Sequence, residues 1–152
     1  MRKPIGTRLH GALDYLSVGT LLVLPRVLGW DKGTTRLLTG SALATLVYSV
    51  LTDYELGVVK VLPMKAHLAL DGLSAATLLA APLLLGDGRG EKLGLLGLGL
   101  FETSATLLSQ TESPTEAQDG VVTDSRWFGD GPAEPATPSD RAVTEAASVA
   151  HA

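Results

Sequence analysis

The residues most able to do chemistry in this chain come in two matched pairs, His10-x-x-x-Asp14 and His67-x-x-x-Asp71. Four residues is one helical turn, so on a helix each imidazole and carboxylate share a face. Three chemistries are open to such a set. The imidazoles and carboxylates can hydrogen-bond one another and fix how two segments of the chain meet. They can supply the neutral nitrogen and anionic oxygen donors that suit a divalent ion, or relay protons. They can also form a binding face for another membrane protein or a lipid headgroup. Asp53 and Glu102 belong to the candidate set as further carboxylates, and Tyr54, Glu55, Lys60 and Lys65 are expected nearby. The chain has no cysteine, which excludes thiolate nucleophiles and disulfides. No nucleophile–base pair or cofactor motif is present, so a non-enzymatic protein without a cofactor is expected, and the identity of any metal stays open.

The elements that must position these groups are apolar. Of 152 residues, 45% are apolar and 18% charged, with a mean hydropathy of +0.26. Four apolar stretches run from about Gly11 to Trp30, Thr35 to Leu51, Ala66 to Leu85 and Leu93 to Leu108. A soluble four-helix bundle needs a polar stripe along each helix. Stretches such as LLTGSALATLVYSVL and HLALDGLSAATLLAAPLLL offer small or apolar residues on every face. Each sits at the lower edge of the ~17–25 residues that span a bilayer. The expectation is four transmembrane helices, with the lipid bilayer as principal partner. A signal peptide is disfavoured, since no small-residue cleavage site follows Met1-Arg2-Lys3 and three more apolar stretches come after.

The chain also matches itself at a shift of 57. Residues 10–30 (HGALDYLSVGTLLVLPRVLGW) and 67–87 (HLALDGLSAATLLAAPLLLGD) are identical at 12 of 21 positions, the His/Asp pairs included. Beyond that the register persists through Gly40/Gly97, Leu43/Leu100, and VLTDYE against LLSQTE. Such self-similarity marks a duplicated unit. Two-helix units at about 8–56 and 65–113 return the chain to its starting side before the second begins, so the halves are expected to insert the same way up. A polar opening, an apolar helix, then x-Pro-x-x-Leu-Gly and a second helix resembles the SPW-repeat family of small bacterial membrane proteins. The matching triplets here are Leu24-Pro25-Arg26 and Ala81-Pro82-Leu83, keeping only the proline. The resemblance covers roughly residues 8–110 and implies an integral membrane protein, with no established activity.

Pro25 and Pro82 are expected to bend or end their helices, and Gly29 and Gly86 to turn the hairpins. Gly40, Ser41, Ala42, Ala44, Gly94, Gly97 and Gly99 offer small-residue faces for close packing or self-association. Glu102 stands mid-helix against Thr45 in the other unit, so the duplication does not account for it. Residues 1–109 carry 10 basic and 8 acidic residues, a net of +2, while residues 110–152 carry 2 and 8, a net of −6. Neither part is basic enough for nucleic acid. Residues 110–152 are expected to form a disordered acidic tail. Basic residues divide five and five between the two sides, Arg2, Lys3, Arg8, Lys60 and Lys65 against Arg26, Lys32, Arg36, Arg89 and Lys92. With four spans both termini share one side, taken as cytoplasmic. The expected whole is an all-α, four-helix multi-pass protein of the cell membrane. Its role is structural or accessory, with a small transporter or ion-handling protein as the alternative.

Overall fold

The computed structural model describes residues 3–118, which are all-helical. Helix α1 spans Thr7–Val27, α2 Lys32–Leu51, α3 Met64–Ala80 and α4 Arg89–Leu108, with one 3₁₀ turn, Ala81–Leu83, ending α3. Each helix begins two to four residues ahead of its apolar stretch, because polar residues lie within the first turn. Asp31 shows how: its carboxylate accepts from the Gly33 and Thr34 amides, satisfying free donors at the start of α2. Pro25 sits inside the last turns of α1, whereas Pro82 falls where α3 tightens into its 3₁₀ turn. Gly29 and Gly86 then reverse the chain at φ of +66° and +93°, a region side chains disfavour.

Helix α1 packs along α2, α3 along α4, and α2 touches α3. The bundle has two tiers. Near the hairpin turns Val18, Leu21, Leu38, Ala42, Leu78, Ala81 and Leu95 form the apolar core. Toward the other end the buried side chains turn polar: His10, Asp14, Thr45, Ser49, Thr52, His67, Asp71 and Ser109. Of the glycines expected to mediate close packing, Gly94 abuts Trp30 and Gly99 abuts Leu79, whereas Gly40 and Gly97 have no neighbour within 4 Å of a built Cβ.

The elements recur at the shift seen in the sequence. Thr7 and Met64 begin α1 and α3, Lys32 and Arg89 begin α2 and α4, and Leu51 and Leu108 end them, each pair 57 residues apart. The same shift relates the two isolated bridge pairs, Ile5 with Ser109 and Thr52 with Leu62. Their hydrogen bonds correspond atom for atom: the Ile5 amide donates to the Leu108 carbonyl (3.1 Å) and the Leu62 amide to that of Leu51 (2.8 Å).

Among the described residues one segment, Met64–Leu83, is long and apolar enough by composition to cross a membrane. The described structure also continues past residue 109, the expected limit of the helical domain. Ser113 and Glu116 cap each other's backbone amides, a reciprocal box with Pro114 at the first helical position. Glu116 also accepts from the Met64 amide at the start of α3 (3.2 Å), and Lys65 pairs with Glu112 (2.9 Å). The expected disordered tail therefore loses its first residues to the body, and the remainder of it lies outside the described residues.

Candidate functional site

Four side chains meet in the polar tier. His10 and Asp14 sit in the second and third turns of α1, and His67 and Asp71 hold the same places in α3, so both pairs point inward at one level. Their exposures are 1%, 6%, 0% and 7%. The His10 and His67 Nε2 atoms lie 3.2 Å apart. His10 Nε2 is 2.9 Å from Asp71 Oδ2 and 3.4 Å from Asp14 Oδ1; His67 Nε2 is 3.2 Å from Asp14 Oδ2 and 3.3 Å from Asp71 Oδ2. Every imidazole thus meets the carboxylate of the other half as well as its own.

The even-numbered helices supply the supports. Thr52 Oγ1 lies 2.7 Å from His67 Nδ1, and Ser109 Oγ lies 2.6 Å from His10 Nδ1. Tyr48 donates to Asp71 Oδ1 (2.7 Å) and sets its ring edge-on to His67. Tyr54, in the loop after α2, donates to Asp14 Oδ2 (3.2 Å), with Ser49 more distant at 3.4 Å. Burial, and then the Asp14 charge beside it, push the Tyr54 phenol above its ordinary value, so it keeps the proton it donates. Buried polar atoms need such partners, and here one carboxylate oxygen on each aspartate takes a tyrosine hydroxyl.

Of the expected residues, His10, Asp14, His67 and Asp71 converge. Asp53 does not: it lies past the end of α2, half-buried, with Oδ1 3.9 Å from Lys60 Nζ. Glu55 accepts from Thr7 (2.8 Å). Glu102 lies beside the cluster without touching it, lining a cavity of about 20 Å³ shared with His10, Asp14, Thr45, Tyr48, Asp71 and Ala105. It also lines an apolar groove of about 200 Å³ between α1 and α4, with Leu16, Leu21, Leu98 and Phe101. Glu102 Oε2 and the nearby Ser74 Oγ are buried and make no hydrogen bond. Sequence reasoning missed Tyr48, Thr52 and Ser109. The alignment of VLTDYE with LLSQTE carried a signal for two of them, since it places the Thr52 and Ser109 hydroxyls at equivalent positions.

Two imidazoles and two carboxylates at these distances can share protons or surround a single cation. Comparison with protein-family models, with curated proteins and with solved structures finds no match to this chain.

Proposed function

We propose that the protein is an integral membrane protein of four spanning helices, built from two tandem hairpins, whose buried His/Asp centre handles a cation within the bilayer. One observation carries the reading: the polarity of a soluble bundle is inverted. The charged groups midway along α1, α3 and α4 (Asp14, Asp71 and Glu102) turn inward, while Leu9, Leu16, Val23, Leu43, Val47, Leu73, Leu96 and Leu100 face out. On the four helices the exposed charges are confined to the ends, at Arg8, Arg26, Lys32, Arg36, Lys65, Arg89 and Lys92, and the other exposed charges of the described residues lie in the loops. Between them each helix presents a charge-free outer strip ~25 Å long at ~1.5 Å per residue, close to the ~30 Å hydrocarbon core. Averaging hydropathy around a whole helix hides such a strip, because inward polar residues dilute it. Ionisable groups inside a membrane bundle mark ion or proton paths, and the shared 57-residue shift of the elements supports a duplicated hairpin unit.

The test is retention in membranes after alkaline washing, followed by reconstitution in vesicles. His10→Gln and His67→Gln are expected to leave abundance intact and abolish divalent-cation flux. A structural role is the second reading, favoured by the Ser109–His10 and Thr52–His67 contacts, which tie each imidazole to the end of an even-numbered helix. Loss of abundance in both variants would select it.

A further inference from the structure

Cation handling leaves the ion unnamed, and the donor geometry narrows it. We propose that His10, Asp14, His67 and Asp71 form a four-coordinate site for one divalent transition-metal ion of the zinc class. The bilayer setting rests on the reading above; the donor argument stands apart from it.

The tautomers come first. Thr52 Oγ1 lies 2.6 Å from the Tyr48 carbonyl, which can only accept, so the single hydroxyl proton goes there. The same hydroxyl then accepts from His67, placing the ring proton on Nδ1. Ser109 repeats the arrangement with the Ala105 carbonyl (2.7 Å) and His10 Nδ1. Both Nε2 lone pairs are thereby aimed at the centre, the orientation that a hydrogen-bonded far nitrogen imposes on metal-binding histidines.

The spacing comes next. With one oxygen taken from each aspartate, Oδ2 in both, four of the six donor separations run from 2.9 to 3.3 Å, and one donor atom from each of the four residues lies within 4.8 Å of all the others. A tetrahedron with metal–ligand bonds of ~2.0–2.1 Å has edges of ~3.3–3.4 Å, so these four edges match it to within a few tenths of an ångström, and rotation of the Asp14 carboxylate closes the set around an ion at the centre. Calcium is excluded by its need for ~6–8 oxygens at ~2.3–2.6 Å, and magnesium by its preference for octahedral oxygen. Two neutral imidazoles and two carboxylates also cancel a 2+ charge, leaving the buried centre neutral. The Tyr48 and Tyr54 hydroxyls orient the carboxylates from behind.

The site has one soft side. The cavity of about 20 Å³ beside it has room for a water and ends on the unpartnered Glu102 oxygen. Closed four-ligand sites are structural, whereas accessible ones exchange. Glu102 is placed to receive the ion as it enters or leaves.

The experiment uses the full chain, purified in detergent without chelator from zinc-supplemented cells. One equivalent of zinc per chain is expected, with X-ray absorption fitting nitrogen and oxygen alone at ~2.0–2.1 Å. Cobalt exchange should give the intense visible bands of a tetrahedral ion. Asp71→Asn should cut metal content at least tenfold, whereas Asp53→Asn at the same end of the bundle should keep one equivalent. Should Asp71→Asn fail to fold, Thr52→Val supplies the second variant, with affinity weakened about 10–100-fold. Folded wild-type protein holding less than a tenth of an equivalent, or an octahedral cobalt spectrum, overturns the site. A chain that binds one zinc yet stays soluble without detergent sinks the membrane reading alone.

Discussion

Gly11 lies one residue beyond His10, and a Cβ built there would come within 1.9 Å of the Tyr54 ring at Cε2, 2.8 Å at Cδ2 and 2.9 Å at Cζ. These atoms belong to a fully buried ring whose hydroxyl donates to Asp14. Alanine at this position therefore cannot be accommodated unless Tyr54 moves. Against that, alanine is the better helix former by about 1 kcal/mol. Displacing the ring costs about 1–3 kcal/mol in overpacking, and losing a hydrogen bond to a charged partner costs about 1.5–3 kcal/mol more. Gly11→Ala should lower stability by a net ~1.5–5 kcal/mol, read as the shift of unfolding in detergent. Gly19→Ala is the control: it lies on the same helix, exposed, with nothing within 4 Å of the built Cβ. It should raise stability by up to about 1 kcal/mol. In a Tyr54→Ala background Gly11→Ala should cost nothing further, because the residue it strikes is gone. Should Gly11→Ala prove as stable as Gly19→Ala in the wild-type background, the packing of Tyr54 over the centre is refuted.

Thr52→Val and Ser109→Ala each leave a buried imidazole N–H without an acceptor, so each should cost about 1–3 kcal/mol; a loss in only one of them would argue against equivalent roles. Glu102→Leu removes a buried carboxylate oxygen that has no partner, and should raise stability by about 1–3 kcal/mol while slowing cation passage in vesicles. Hydrogen bonding from Thr34, then contact with Glu91, holds the Asp31 carboxyl down at about 2 against its ordinary 3.8. A lowered folded value gives stability that is present above the unfolded value and lost as pH falls toward 2. Thermal unfolding of the wild type should therefore drop between pH 4 and 2, and Asp31→Ala should show a smaller drop from a lower start.

The helices could be read from the sequence because long apolar runs punctuated by Pro25, Gly29, Pro82 and Gly86 leave few other solutions. Their first turns could not, since Thr7, Lys32 and Arg89 carry no apolar signal, Met64 is cut off from its apolar stretch by Lys65, and only α2 has a side-chain cap, Asp31, to mark its start. The duplicated His-x-x-x-Asp spacing gave the four central residues, because helical geometry converts a spacing of four into a shared face. Direction beyond a helix end is not encoded that way. Asp53 follows Thr52 directly, yet its side chain leaves for Lys60 while Thr52 turns in to His67. Tyr48 was hidden inside an apolar run, where an aromatic residue reads as packing. The Ser113-Pro114-Thr115-Glu116 box was legible in principle, but an acidic, proline-bearing stretch looked like tail.

The two halves differ most where the centre has its opening, and that difference makes a prediction about exchange. At the shift of 57, Tyr48 corresponds to Ala105 and Thr45 to Glu102, and all four line the small cavity. On the α2 side Tyr48 fills the space and ties down Asp71. On the α4 side a methyl group stands in its place, and the room left over is the cavity that joins the centre to Glu102. If the opening serves the passage of an ion, filling it should change rate and leave affinity nearly alone. Ala105→Leu adds three carbons into a space of about 20 Å³, an overpacking worth about 1–3 kcal/mol, and replaces none of the four ligands. Metal content should stay at one equivalent, while release of zinc to a chelator, followed by a fluorescent indicator, should slow at least tenfold. Unchanged release would mean that the ion leaves by another way and that the cavity beside Ala105 is only a packing fault.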